Sequence, residues 1–87
     1  MDKVLVEVSV PAARRSFDVF IPQTSKMSEV VSLVSKSLSE LSGGKFKPDS
    51  STILCDAESG KIFNINLSVY ELEIKNGSKL YWLCLSL

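Results

Sequence analysis

Two cysteines, Cys55 and Cys84, are the side chains best suited to covalent chemistry in this chain of 87 residues, and no histidine is present to activate either one. A thiol becomes a useful nucleophile when a base or a nearby cation favours the thiolate. Both cysteines instead fall in short apolar runs, Thr52-Ile53-Leu54-Cys55 and Leu80 to Leu85. The expected state there is a small buried thiol facing the core. Metal chemistry meets the same shortage, because two cysteines without histidine do not supply the four ligands of a structural zinc site. Asp49, Asp56 and Glu58 lack the spacing of a calcium loop and are expected to form a solvated acidic turn. Gly60-Lys61 stands outside any phosphate-loop pattern and reads as a turn. Arg14 and Arg15 could meet an acidic partner or a lipid headgroup, but two cations anchor weakly at about 1 kcal/mol each, so a solvated loop tip is expected. These residues predict a protein without catalytic groups, metal or cofactor.

The composition agrees with one small domain over residues 1–87, with 45% hydrophobic and 23% charged residues. Ten basic and ten acidic side chains cancel. That balance argues against a general nucleic-acid binder, whose affinity comes largely from cations displacing counterions from phosphate. The opening MDKVLVEVSV does not have the basic start and long apolar segment of a secretory leader. No apolar run approaches the ~20 residues of a membrane-spanning helix. A cytoplasmic location, with both thiols reduced, is the expectation.

The elements that would carry these residues follow from periodicity. Lys3 to Val10 alternates, with Val4, Val6, Val8 and Val10 on one side and Leu5 among those on the other; a period of two means a half-buried strand. After an interruption from Pro11 to Ser16, the residues Phe17, Val19 and Ile21 resume the pattern, so the pair reads as a hairpin closed by Pro22. From Met27 the period changes: Met27, Val30, Val31, Val34, Leu38 and Leu41 stack on one helical stripe. Thr24 or Ser25 could cap this helix, and Gly43-Gly44 could end it. Ser28, Ser32, Ser35, Ser39 and Ser42 repeat on the opposite face. Further strands are expected at Thr52 to Cys55, at Ile62-Phe63 and at Leu80 to Leu85. Between the last two, Asn66 or Ser68 could cap a helical turn through Tyr70 and Leu72, and Asn76-Gly77 signals a reversal. The order is α+β, with the last strand placed beside the first in parallel. That is the β-grasp layout: a mixed sheet of four to five strands on one long helix plus a short helical turn.

The segment NLSVYELEIKNGSKLYWL resembles ubiquitin-like proteins, with Leu67, Ser68, Tyr70, Ile74 and Leu80 carrying the match. Within that superfamily, KNGSKL ahead of the last strand is similar to the EsaB/YukD family, small bacterial cytosolic proteins associated with type VII secretion loci. Glu73 stands where the superfamily often has glycine or asparagine, and a left-handed conformation there would cost ~1 kcal/mol.

The resemblance implies a non-enzymatic interaction module working through the sheet face turned away from the helix. If Ile53 and Cys55 point inward and the last strand buries Leu80, Trp82 and Cys84, then Leu5, Leu54, Tyr81 and Leu83 lie side by side outside, with Phe20 extending the group. A contiguous apolar set of several hundred Å² is a docking surface rather than ordinary exposure. The implied partner is a protein component of a type VII secretion system; a homodimer contact is the alternative use of the face. A covalent modifier or sulfur carrier is a further alternative, disfavoured because the terminal residues are Leu85-Ser86-Leu87 and the sole Gly-Gly is Gly43-Gly44. An accessory β-grasp subunit of an oxygenase or similar enzyme complex is another, by fold alone.

Overall fold

The computed structural model describes residues 2–44 and 52–84, and in it the valine alternation becomes strand β1, Lys3–Val10. A 3-10 turn at Pro11–Ala13 leads into β2, Arg15–Pro22. The hairpin keeps one register from Lys3 opposite Pro22 to Val10 opposite Arg15. Its turn closes through Arg14, whose φ of 53° is left-handed and whose N–H donates to Pro11 O at 3.2 Å. Helix α1, Met27–Leu41, follows, then β3, Thr52–Asp56, and β4, Lys79–Cys84. Among the described residues the sheet has four strands in the order β2-β1-β4-β3. The central pair is parallel, with Val8 opposite Leu80, and β3 runs antiparallel to β4. This is the β-grasp arrangement expected from the sequence.

Asn76-Gly77 does more than reverse the chain. Leu5 N–H donates to Asn76 Oδ1 at 2.8 Å, Gly77 N–H donates to Leu5 O at 2.8 Å, and Glu7 N–H donates to Ser78 O at 2.9 Å. The turn thus extends the β1–β4 ladder before β4 begins. Gly77 sits at φ +87°, a conformation that costs glycine little.

One side of the sheet packs on α1. Val4, Val6, Val8, Val10, Val19, Ile21, Leu54, Leu80 and Trp82 meet Met27, Val30, Val34 and Leu38 in a single core, which Val69 and Ile74 complete. Each such side chain contributes roughly 1.5–3 kcal/mol when fully buried, which holds a serine-rich helix of modest intrinsic propensity. Two stripe residues depart from expectation: Val31 is half-buried and Leu41 is 56% exposed at the helix end. The serine face is not uniform either. Ser28 and Ser32 are exposed, but Ser35 is fully buried and accepts a 2.8 Å hydrogen bond from Trp82 Nε1–H.

The helix start differs from the predicted hydroxyl cap. Lys26 is the N-cap, and its N–H donates to Glu29 Oε1 at 3.3 Å. Met27 N–H donates to Leu67 O at 2.9 Å and Ser28 N–H to Ile65 O at 3.0 Å. The backbone of the 65–67 segment therefore supplies acceptors for the free first-turn amides, and neither Thr24 nor Ser25 is needed for it. The C-terminus ends as expected on left-handed glycines: Gly43 N–H donates to Glu40 O at 3.3 Å and Gly44 N–H to Ser39 O at 2.7 Å.

Two short elements shrink. Ile62-Phe63 forms one bridge, Cys55 to Ile62, with Phe63 N–H donating to Leu54 O at 3.3 Å, and no strand. Around Ser68 the helical turn stays a single hydrogen-bonded turn. Glu71 N–H donates to Ser68 Oγ at 3.1 Å, Ser68 N–H donates to Glu71 Oε1 at 3.0 Å, and Leu72 N–H donates to Ser68 O at 3.1 Å. Glu73 then turns left-handed at φ 58° and Ile74 N–H closes onto Val69 O, so the chain cannot continue as a helix. The readings of Asp49, Leu85 and the Cys84 side chain lie outside the described residues.

Candidate docking surface

Residues directly opposite each other in a ladder share a face, so the register fixes what the outer side of the sheet presents. Leu54 pairs with Trp82, and both belong to the core; Leu54 is 2% exposed. The expectation that Leu54 points outward is therefore corrected. Strand β3 has the opposite phase, and Ile53, paired with Leu83, takes the outward position. The Ile53-Leu54-Cys55 run has no internal alternation to set a phase, and its flanks mislead. Thr52 and Asp56 share the phase of Leu54, yet Thr52 is buried and Asp56 stands where the strand enters its turn.

The outer face falls into rows. Leu5 lies opposite Phe20; Glu7 lies between Asp18 and Lys79; Ser9 lies between Ser16 and Tyr81; Tyr81 faces Cys55; and Leu83 faces Ile53. Leu5 and Ser9 are four residues apart on β1, about 13 Å along an extended strand. The five predicted residues are thus not side by side. Leu5 and Phe20 form a small patch at one end, with Phe20 61% exposed, while Tyr81 and Leu83 join Ile53 at the other. The charged row of Glu7, Asp18 and Lys79 separates them. Beyond Cys55, its bridge partner Ile62 is 62% exposed and carries the second patch around the β3 edge. Ile53 and Ile62 are the residues that sequence reasoning missed. The antiparallel pairing of β3 with YWLC is the signal that would have found Ile53, once Trp82 is assigned to the core.

Cys55 is 3% exposed, as a buried thiol should be, but it lies on the Tyr81 row and stands outside the core cluster. Burial, and then the charge of Asp56, raise its thiol pKa, so the reactive thiolate is disfavoured. The adjoining acidic turn is built around Asp56. Its carboxylate accepts from Ser59 Oγ at 2.8 Å and from the N–H of Glu58 and of Ser59 at 3.3 and 3.4 Å. The Ser59 hydroxyl first, and the Glu58 amide next, hold the Asp56 carboxyl below the usual range. At the loop tip, the Arg15 guanidinium lies 4.8 Å above the Phe17 ring centroid.

A helix gripped by a four-stranded sheet of this order, with the parallel pair at its centre, is shared with solved structures. The N-terminal ubiquitin-like domain of the 4931431F19Rik protein superposes with a TM-score of 0.76 at 19% identity, over 98% of this chain and 77% of that one. The fold is ubiquitin-like. The ubiquitin-like domain of the Mycobacterium tuberculosis type VII secretion system protein ECCD1 matches with a TM-score of 0.75 at 17% identity, over 95% and 99% of the two chains. A chain of the MycP5-free ESX-5 inner membrane complex matches with a TM-score of 0.79 at 14% identity, over 99% of this chain and 22% of its own length. No protein-family model and no curated protein matches the sequence. At these identities the likeness is one of fold. Among the described residues no helix is long and apolar enough to cross a membrane.

Proposed function

We propose that this ubiquitin-like domain is a non-enzymatic interaction module that docks on a protein partner through Tyr81, Leu83, Ile53 and Ile62, as an accessory component of a bacterial type VII secretion apparatus. The observation that carries the docking role is the register itself, which sets Ile53 beside Leu83 and Tyr81 beside Cys55 on the face away from the helix. Apolar side chains gathered on one exposed face favour association, because their burial removes area worth roughly 25 cal/mol per Å². The secretion setting draws on two similarities: the fold shared with a ubiquitin-like domain of a type VII secretion protein, and the KNGSKL resemblance to the EsaB/YukD family. A cytoplasmic role belongs to the same reading. A buried thiol opposite Tyr81 whose pKa burial raises, in a chain with no histidine, supports binding rather than catalysis.

The experiment is affinity capture of the tagged chain from its native cells, compared with Ile53→Asp and Leu83→Asp. Recovery of secretion components by the unaltered chain, and their loss with either variant while Trp82 emission stays native, is the expected result. Capture unchanged by both variants would remove the surface, and capture without secretion components would remove the setting.

A further inference from the structure

Hydrogen-bond polarity along the first hairpin leaves one sheet edge unused. Gln23 N–H donates to Asp2 O at 3.1 Å, one step beyond the Lys3–Pro22 pair. Hydrogen-bonded and non-bonded pairs alternate in an antiparallel ladder, so Val4 with Ile21, Val6 with Val19, and Val8 with Phe17 are the bonded pairs. The far side of β1 agrees, since the N–H and C=O of Leu5 and the N–H of Glu7 turn away from β2 to residues 76–78. On β2, therefore, Ser16, Asp18 and Phe20 aim both backbone groups away from the sheet. No backbone group among the described residues takes them up. Pro22, lacking an N–H, ends this row.

The two edges of the sheet are treated differently. Along β3, Asp56 N–H donates to Lys61 O at 2.9 Å and Phe63 N–H to Leu54 O at 3.3 Å, so the following segment covers part of that edge. The β2 edge has eight residues in unbroken register and turns Phe17, Val19 and Ile21 toward the helix side, with Arg15 the one charge in that phase, at the start of the strand. Past Arg15 it carries no bulge and no inward charge, two of the devices by which edges are usually blunted. Its borders are apolar. Phe20 is exposed on the outer side, and Leu33 is 39% exposed on α1. Ser35 reaches Trp82 on β4, and Leu33, about 100° the other way around α1 from Val34, therefore flanks β2. At the start of the edge stand Arg14 and Arg15. Neither has an ion pair among the described residues, and Arg15 is held over Phe17.

From this placement we infer that the β2 edge accepts an extended segment of a partner protein as an added strand, apolar at alternate positions and acidic where it passes Arg14 and Arg15. Main-chain bonds to Ser16, Asp18 and Phe20 supply the affinity of such strand addition, and the flanking side chains supply selection. The two unpaired cations choose the acidic end, since guanidinium–carboxylate bonds are among the stronger ones. A second copy fits less well: in the fully overlapped antiparallel register Asp18 would face Asp18, and both arginine pairs would find no acid. This edge is distinct from the Tyr81–Leu83 surface, so the domain would bridge two partners.

The test pans a displayed library of random short peptides on the whole chain and maps binders by amide hydrogen exchange. Enrichment of acidic peptides with alternating apolar residues, with exchange slowed at Ser16, Asp18 and Phe20, is expected. Asp18→Pro removes an N–H used only at the edge and should abolish binding. Arg14→Glu with Arg15→Glu should weaken it by about tenfold or more, while Leu83→Asp leaves it unchanged. The amide map and the arginine variant decide the matter even where Asp18→Pro fails to fold. An absence of binders, or binders lost with Leu83→Asp, would overturn the inference. So would protection of the three amides that grows with protein concentration alone, which would assign the edge to a second copy.

Discussion

Truncating Ile53 and Leu54 in turn tests the phase of β3, on which the docking surface depends. Leu54 is 2% exposed against Trp82 and the helix, so Leu54→Ala removes buried methyl groups and leaves a cavity, a loss of about 2–5 kcal/mol. Ile53 is half-buried on the other face. Its truncation removes a partial contact and should cost about 1 kcal/mol or less. For 87 residues the whole stability is roughly 4–13 kcal/mol, so the Leu54 variant is severely weakened and the Ile53 variant is not. Urea unfolding followed by Trp82 emission reads this directly, because Trp82 is the sole tryptophan and is buried. With a urea dependence near 1 kcal/mol per molar, Leu54→Ala should lower the midpoint by about 2 M or more and Ile53→Ala by about 1 M or less. Equal losses, or the reverse order, would refute the register argument and return Leu54 to the surface.

Other substitutions probe the scaffold. Glu73 is exposed and left-handed at φ 58°, so Glu73→Gly should stabilise the fold by about 1 kcal/mol, read as a higher urea midpoint. Ser35→Ala removes the acceptor of the buried 2.8 Å bond from Trp82; a loss of about 1–3 kcal/mol and a shifted Trp82 emission are expected. Asp56 and Glu71 have carboxyl pKa values below their ordinary 3.8 and 4.5, held there chiefly by the Ser59 hydroxyl and by the Ser68 amide and hydroxyl. A depressed folded-state pKa adds stability above the unfolded value, lost as pH falls through the folded one. Acid titration of the urea midpoint should therefore show a decline below about pH 4 that is smaller in Ser59→Ala and Ser68→Ala.

The fold was legible because its long elements alternate or repeat without ambiguity. Lys3 to Val10 has a period of two over eight residues, and Met27, Val30, Val34 and Leu38 leave no competing helical face. The β4 arrangement came out as expected, with Leu80 and Trp82 buried and Tyr81 and Leu83 outside, although an unbroken apolar run does not itself set a phase. The β3 phase was not, because three consecutive apolar residues satisfy either face and the polar neighbours favoured the wrong one. Ser35 escaped detection for a related reason: a hydroxyl on the border of a helical stripe looks solvated until a partner such as Trp82 Nε1 is known to reach it from another strand. Tertiary placement also decided the helix cap, where backbone carbonyls of Ile65 and Leu67, distant in sequence, took the role expected of a neighbouring hydroxyl.

The row of Glu7, Asp18 and Lys79 has a consequence for affinity. It divides the outer face into a Tyr81–Leu83 end and a Leu5–Phe20 end whose nearer rows stand about 13 Å apart, and the few apolar side chains of either patch fall short of the roughly 20–30 residues a side of a standard interface. A partner confined to the Tyr81 end would bind weakly; one that spans both ends must cross a charged row that penalises an apolar contact left unpaired. Phe20 belongs to both the far patch and the free β2 edge, so a segment added to that edge would cover it and lengthen the buried area without crossing the charges. Two modest surfaces joined on one rigid sheet can therefore hold a composite partner more firmly than either can alone, because the second contact forms at high effective concentration once the first is made.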